Sequence, residues 1–178
     1  MSLEDLVIVI GEFLKTKGVD IILVGGACVT IYSKNAYISG DLDLITYHDG
    51  KKVKQYLAEL GFEFTASKYF VHKNTDYIVE FVNPPISIGN EPVHEFHNHK
   101  TSLGEIKLLT ATDTVKDRLS AYYHWNDEQS LEQALLVVKE VDVDFENIRL
   151  WSEREAMTHK FQIFMNHLTH KHSNSSTF

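Results

Sequence analysis

Apolar residues at Leu6, Val7, Ile10, Phe13 and Leu14 recur at helical spacing and predict an amphipathic helix over residues 3–15, with Gly18 as its stop. Ile21, Ile22, Leu23 and Val24 form an uninterrupted apolar run that suits a buried strand. Gly25 and Gly26 close that run, and residues 27–32 read as a short helix. Asp41, Leu42, Asp43 and Leu44 then alternate acidic and apolar side chains, the period of a strand with one buried face. Val53, Tyr56, Leu57 and Leu60 give an inward stripe to a helix over 51–60 that Gly61 ends. Strand patterns over 62–64, 69–72 and 77–82 read as an antiparallel meander, broken at Asn83, Pro84 and Pro85. A last hairpin is predicted over 94–99 and 105–109. From Thr110 onward the period is helical. One helix has Thr112 as its N-cap and Val115, Leu119 and Tyr122 inward; a second begins near Asp127, and others cover 145–155 and 158–170. The pattern predicts an α/β (α+β) chain, with a mixed β-sheet core at 1–110, flanking helices, a C-terminal helical subdomain at 111–172 and a frayed tail at 173–178.

The chemistry concentrates at the first crossover. Two glycines let the backbone turn sharply and approach a ligand, and the helix that follows would present free N–H groups to a phosphate. Asp41 and Asp43, two residues apart on a strand, share a face. Two such carboxylates repel unless a cation sits between them, and Mg²⁺ commonly takes one or two carboxylates plus substrate phosphate oxygens. A phosphate-handling turn beside a divalent-metal site points to nucleotidyl transfer. Glu80, inside the apolar run Ile78, Val79, Phe81, Val82, is costly there unless paired or liganded. Asp76 is the weaker candidate, because Asn74, Thr75 and Asp76 have the composition of a turn.

Composition narrows the setting. The 178 residues suffice for one sizeable core and a small appended subdomain. No apolar run is long enough to span a bilayer, and the N-terminus lacks a basic, signal-like opening. Cys28 is the single cysteine, so no internal disulfide forms, and the expected compartment is cytoplasmic. A formal charge of −8 argues against broad, non-specific nucleic-acid binding.

The order apolar residue, Gly, Gly, spacer, Asp, apolar, Asp, apolar resembles the motif of the nucleotidyltransferase superfamily with the polymerase-β-like fold, especially its small "minimal" bacterial members. Val24, Gly25 and Gly26 carry the first half, and Asp41, Leu42, Asp43 and Leu44 the second. The resemblance implies a third acidic metal ligand on a later neighbouring strand, where Glu80 stands in place of the more usual Asp. It also implies a Ser or Thr just ahead of the first Asp, which Ser39 supplies, with Tyr37 where Arg is often found.

A second stretch, from Thr112 to Ala121 and on to Asn126 and Asp127, is similar to the helical part of small bacterial nucleotidyltransferases, including the abortive-infection toxin type. That likeness assigns Lys116 to the triphosphate. Arg118 lies about 200° away around the helix and is read as structural, with Asp127 as its partner. Together the two resemblances imply Mg²⁺ or Mn²⁺ held by Asp41, Asp43 and Glu80, an NTP positioned by Gly25, Gly26, Ser39 and Lys116, and transfer of an NMP to a hydroxyl. The acceptor is open among a tRNA end, a protein and a small molecule. A toxin–antitoxin or defence role, a partner protein and a homodimer are all compatible. The rival is a non-catalytic nucleotide-binding or antitoxin-type partner protein on the same fold; such a binder would be expected to lose one of the three carboxylates.

Ten histidines raise a metal alternative, with His97 and His99 on one strand face, but no clear set of partners accompanies them. Tyr122 and Tyr123 are read as packing within the helical subdomain.

Overall fold

The computed structural model describes residues 1–173, with side chains through residue 169. In chain order the elements are α1 (Leu3–Thr16), β1 (Ile22–Val24), α2 (Gly26–Tyr32), β2 (Asp41–Ile45), α3 (Gly50–Glu59), β3 (Glu63–Phe64), β4 (Phe70–His72) and β5 (Thr75–Val82). There follow β6 (Ser87–Ile88), β7 (Glu91–Pro92), β8 (Phe96–Thr101), β9 (Gly104–Leu109), α4 (Ala111–Trp125), α5 (Glu128–Glu140), α6 (Phe145–Arg154) and α7 (Thr158–Ser173). Seven strands form one mixed sheet in the order β3-β4-β5-β2-β1-β9-β8. β2 runs antiparallel to β1 and parallel to β5, and β1 runs parallel to β9. β3, β4 and β5 form the expected antiparallel meander, and β8 with β9 the expected hairpin.

Local chemistry sets the element ends. Ser2 caps α1 by accepting from Asp5 N at 3.0 Å, while Asp5 reaches back to the Ser2 N–H. Asp49 caps α3 through Lys51 N at 2.8 Å. The N-cap of α4 is Thr110, whose hydroxyl accepts from Asp113 N at 3.1 Å, rather than Thr112. Thr112 lies inside the first turn, and its hydroxyl accepts from Asp144 N at 3.0 Å instead. The loop after Pro85 contains a small hairpin, β6–β7, that alternation over two-residue strands is too short to reveal. The last helix continues through Ser173, past the expected start of the frayed tail; residues 174–178 lie outside the described residues.

Two apolar clusters hold these elements. In the first, Leu23, Leu42, Leu44 and Val79 from the central strands pack with Leu6, Ile10 and Leu14 of α1 and Leu57 of α3. In the second, Val115 and Leu119 of α4 pack with Leu131 and Ala134 of α5, Ile148 and Trp151 of α6 and Phe164 of α7. Val29 of α2 and Ile88 of β6 belong to this second cluster, so α2 and the small hairpin join the sheet layer to the helical layer. Trp151 stacks on Tyr123, ring centroids 5.4 Å apart, and donates its indole N–H to the Ile88 carbonyl at 3.2 Å. Among the described residues no helix is long and apolar enough to cross a membrane.

The two faces of the central sheet should respond differently to truncation. Leu44 is fully buried and Ile78, on the facing side of β5, is 36% exposed. Leu44→Ala is expected to cost about 2–5 kcal/mol in urea denaturation, and Ile78→Ala under about 1.5 kcal/mol.

Candidate functional site

The site begins with the register of β2. Asp43 stands opposite Val24 of β1 on one side and opposite Glu80 of β5 on the other, and Asp41 pairs with Ile78. Paired residues in neighbouring strands share a face, so Asp41, Asp43 and Glu80 all project from the same side of the sheet. Leu42 and Leu44, on the other side, are fully buried. Asp41 is exposed, and Asp43 and Glu80 are half-buried.

Gly25 follows Val24 directly and adopts φ +70°. A Cβ built there would lie 2.4 Å from Asp43 Oδ2, so the glycine is required twice, by conformation and by the carboxylate against it. Gly26 begins α2, and a Cβ on it would lie 2.9 Å from Ser39 Oγ. Ser39 is itself buried. Its hydroxyl donates to Asp41 Oδ1 at 2.7 Å, and its backbone N–H donates to Thr30 Oγ1 at 3.0 Å. Ser39 therefore positions the first aspartate from beneath the Gly-Gly turn.

Crowding of like charges is visible in Asp43. Burial, then the charges of Asp41 and Glu80, push its carboxyl up to about 6, and Arg118 opposes the shift. Among the described residues no three His, Cys, Asp or Glu side chains close into a ready-made metal cage. Asp41, Asp43 and Glu80 stand as neighbours on one face. Their hard oxygen donors fit a cation that completes its shell with water and substrate oxygens. Asp76 is exposed on the same strand as Glu80, four residues earlier.

The cation beside this cluster is Arg118, which the sequence reading gave a structural role. Its guanidinium donates to Asp117 Oδ2 at 3.0 Å through Nε and to Gln133 Oε1 at 3.2 Å. Burial draws its pKa down, but Asp117 outweighs this and holds it above the ordinary value, with a smaller contribution from Asp43. Asp127, its expected partner, instead caps α5 through Ser130. The available signal was the phase of α4, which puts Arg118 on the side away from Lys116; the fifteen-residue separation of Arg118 from Gln133 carries no local pattern.

Lys116 is not at the carboxylates. It is 2% exposed, and its ammonium lies 2.7 Å from Glu91 Oε1 and 3.4 Å from Asp113 Oδ1. A buried ammonium needs such partners, and they occupy the donors that a triphosphate would require. Burial pushes Glu91 up, but hydrogen bonds from Lys116 and Arg154 outweigh it and hold the carboxyl below its ordinary value. In this structure Lys116, the residue expected at the triphosphate, forms a strut between α4 and β7. His97 and His99 do share a strand face, with ring centroids 6.3 Å apart, and His99 Nε2 lies 2.6 Å from Glu4.

A hollow of about 220 Å³ opens beside the carboxylates. Val24, Ile45 and Val82 form its floor, and Ile86, Ile88 and Asp117 its walls. The stretch after β5 that reads only as a sheet breaker therefore builds one side of the site.

No model of a protein family and no curated protein matches the sequence. Solved structures do. An antigenic nucleotidyltransferase-like protein from Paracoccidioides brasiliensis superposes with a TM-score of 0.60 at 13% identity, over 99% of this chain and 92% of that one. The chain has the nucleotidyltransferase fold. ANT(2″)-Ia in complex with adenylyl-2″-tobramycin is also similar, with a TM-score of 0.50 at 13% identity, over 90% of this chain and 98% of that one. The mixed sheet and its helices match this fold.

Two results test this description. A carboxylate whose pKa is raised by folding binds its proton more tightly in the native state, so it favours folding at low pH and loses that advantage as pH rises from about 4 through about 6. Asp43→Asn, measured without metal, should therefore raise the Tm at about pH 7.5, and the gain should vanish near about pH 4. Lys116→Ala should cost about 2–4 kcal/mol in urea denaturation by stranding Glu91 and Asp113, while nucleotide affinity of the folded protein stays within about twofold of wild type.

Proposed function

We propose that the protein is a metal-dependent nucleotidyltransferase that moves an NMP from an NTP to a hydroxyl acceptor. The observation that carries this reading is the β2–β5 register, which sets Glu80 beside Asp43 and on the same face as Asp41. A purely structural sheet has no use for three acidic side chains on one face, and their mutual repulsion raises Asp43. The fold of the nucleotidyltransferase-like protein from P. brasiliensis supports the class of activity.

In this reading Asp41, Asp43 and Glu80 hold Mg²⁺ or Mn²⁺. When bound, the metal would neutralise the phosphate oxygens and favour ionisation of the acceptor hydroxyl. The rest is work for the chain. Gly25, bare of a side chain against Asp43, lets the phosphates approach the backbone. Ser39 fixes the rotamer of Asp41, so the carboxylate is oriented before the nucleotide arrives. Arg118, held by Asp117 and Gln133, is the cation placed to receive negative charge as pyrophosphate leaves, the role that Lys116 is too buried to fill. The hollow walled by Asp117 and floored by Val24 and Ile45 gives the acceptor or the base an apolar seat next to the carboxylates.

The same acidic face in a non-catalytic binder would hold the nucleotide and stop there. Glu80→Gln separates the two. It keeps the size of the side chain and removes its charge, while Asp41, Asp43 and the Gly-Gly turn remain. NTP affinity in titration calorimetry with Mg²⁺ should change little, and transfer of label from [α-³²P]NTP to acceptors in a lysate should fall by about a hundredfold or more. Equal NTP affinity with Mg²⁺ and with EDTA would sink the metal assignment, and unaltered transfer in Glu80→Gln would make it an ordinary strand residue.

A further inference from the structure

A second hollow lies away from the carboxylates. A cavity of about 420 Å³ lies where α3, the β3–β4 hairpin and the carboxyl ends of β2 and β5 meet. Val53, Phe70 and Phe81 form its inner wall, and Phe64, Lys54 and Lys68 its rim. Phe81 pairs in register with Leu44, so this cavity opens from the sheet face opposite Asp43. Its size falls within the range of small-molecule sites.

Three features give it a ligand chemistry. The aromatic rings form a continuous wall: Phe64 and Phe70 have centroids 4.8 Å apart, and Phe70 and Phe81 5.8 Å apart. Phe64 and the neighbouring Tyr47 leave 41% and 68% of their surface in water instead of closing over the cavity. The lysines are uncompensated. Among the described residues neither Lys54 nor Lys68 has an acidic side chain within ion-pair range, a state they share with Lys51, Lys52, Lys73, Lys107 and Lys139. Lys54 instead sits 4.0 Å above the Phe64 ring, which fixes a cation at the cavity mouth. In a chain of net charge −8, two ammonium groups without a carboxylate partner thus stand at the rim of an open aromatic wall.

We propose that this cavity is a second ligand site that takes an aromatic anion, its flat ring against Phe70 and Phe81 and its acidic group at Lys54 and Lys68. The site does not depend on the transfer reading, since Asp41, Asp43 and Glu80 are not among its lining residues. It is nonetheless contiguous with that face. Tyr47 and His48 also line a hollow floored by Ile22 and Ile45, and Val82 and Asn83 also line the one beside Asp117. An occupant of the cavity therefore touches the same strand ends that carry Asp43 and Glu80.

Two dyes test it without nucleotide or metal: 8-anilinonaphthalene-1-sulfonate, and its uncharged relative N-phenyl-1-naphthylamine. The sulfonate should bind with one-site saturation in fluorescence titration. Lys54→Glu, an exposed change, should weaken it by about fivefold or more and leave the uncharged dye within about twofold. Phe64→Ala should weaken both dyes, and Lys68→Gln the sulfonate only. Asp43→Asn should leave both unchanged. Sulfonate binding that is indifferent to Lys54→Glu and Lys68→Gln, equal losses of the two dyes in Lys54→Glu, or weakening by Asp43→Asn would each overturn the proposal. Because the dyes report without turnover, a failed transfer assay and a failed dye titration remain separate results.

Discussion

β2 has one face it must bury and one it cannot. Leu42 and Leu44 are fully buried against α1 and α3, and that burial fixes the rotation of the strand about its axis. A slip of one residue would expose both leucines and drive two carboxylates into the core, which costs far more than any single contact in the site. Asp41 and Asp43 thus have their direction set from behind. The neighbouring strands inherit the same phase, which is how Glu80 arrives beside Asp43 with no direct bond between them. Gly25 then comes within touching distance of Asp43 because it directly follows Val24, the last residue of β1 and the one that pairs with Asp43.

The charges on this face are balanced locally and at some distance. Arg118 of α4, anchored by Asp117 and Gln133, lowers the pKa of Asp43 through its charge, so the helical layer offsets part of the crowding on the sheet. The other large ion pair, Lys116 with Glu91 and Arg154, serves a different purpose. It ties β7 to α4 and α6 and leaves no free positive charge. Two basic residues only two positions apart on one helix therefore have different partners, Lys116 on the side of β7 and Arg118 on the side of α5.

The Gly-Gly turn, the Asp-x-Asp strand and the meander leading to Glu80 were legible because each is a local pattern with a strict period. The same holds for Val115, Leu119 and Tyr122, which all turn inward on α4. The surroundings of Lys116 and Arg118 were not legible, because their partners Glu91 and Gln133 lie 25 and 15 residues away. The cap of α4 was displaced by two residues because Thr110 and Thr112 are equally good cap formers, and only the extended backbone at Thr110 decides. The walls of both hollows were hidden for a related reason. Residues 83–88 and the rim around Lys54 are assembled from loops whose sequence carries turn chemistry and no period.

The hairpin of β6 and β7 has a mechanical meaning. It is fastened to the helical layer at the backbone by Trp151 on the Ile88 carbonyl and by Glu155 on the Asn90 N–H (2.8 Å), and at a side chain by Lys116 on the Glu91 carboxylate. The strand carrying Glu80 ends at Val82, only five positions before β6 begins. Residues 83–86 are thus the whole length of slack between the acidic face and the helices. If α4 and α6 rock against the sheet, those four residues must absorb the travel or pass it on to β5. The helical layer and the third carboxylate are, in that sense, two ends of one short leash.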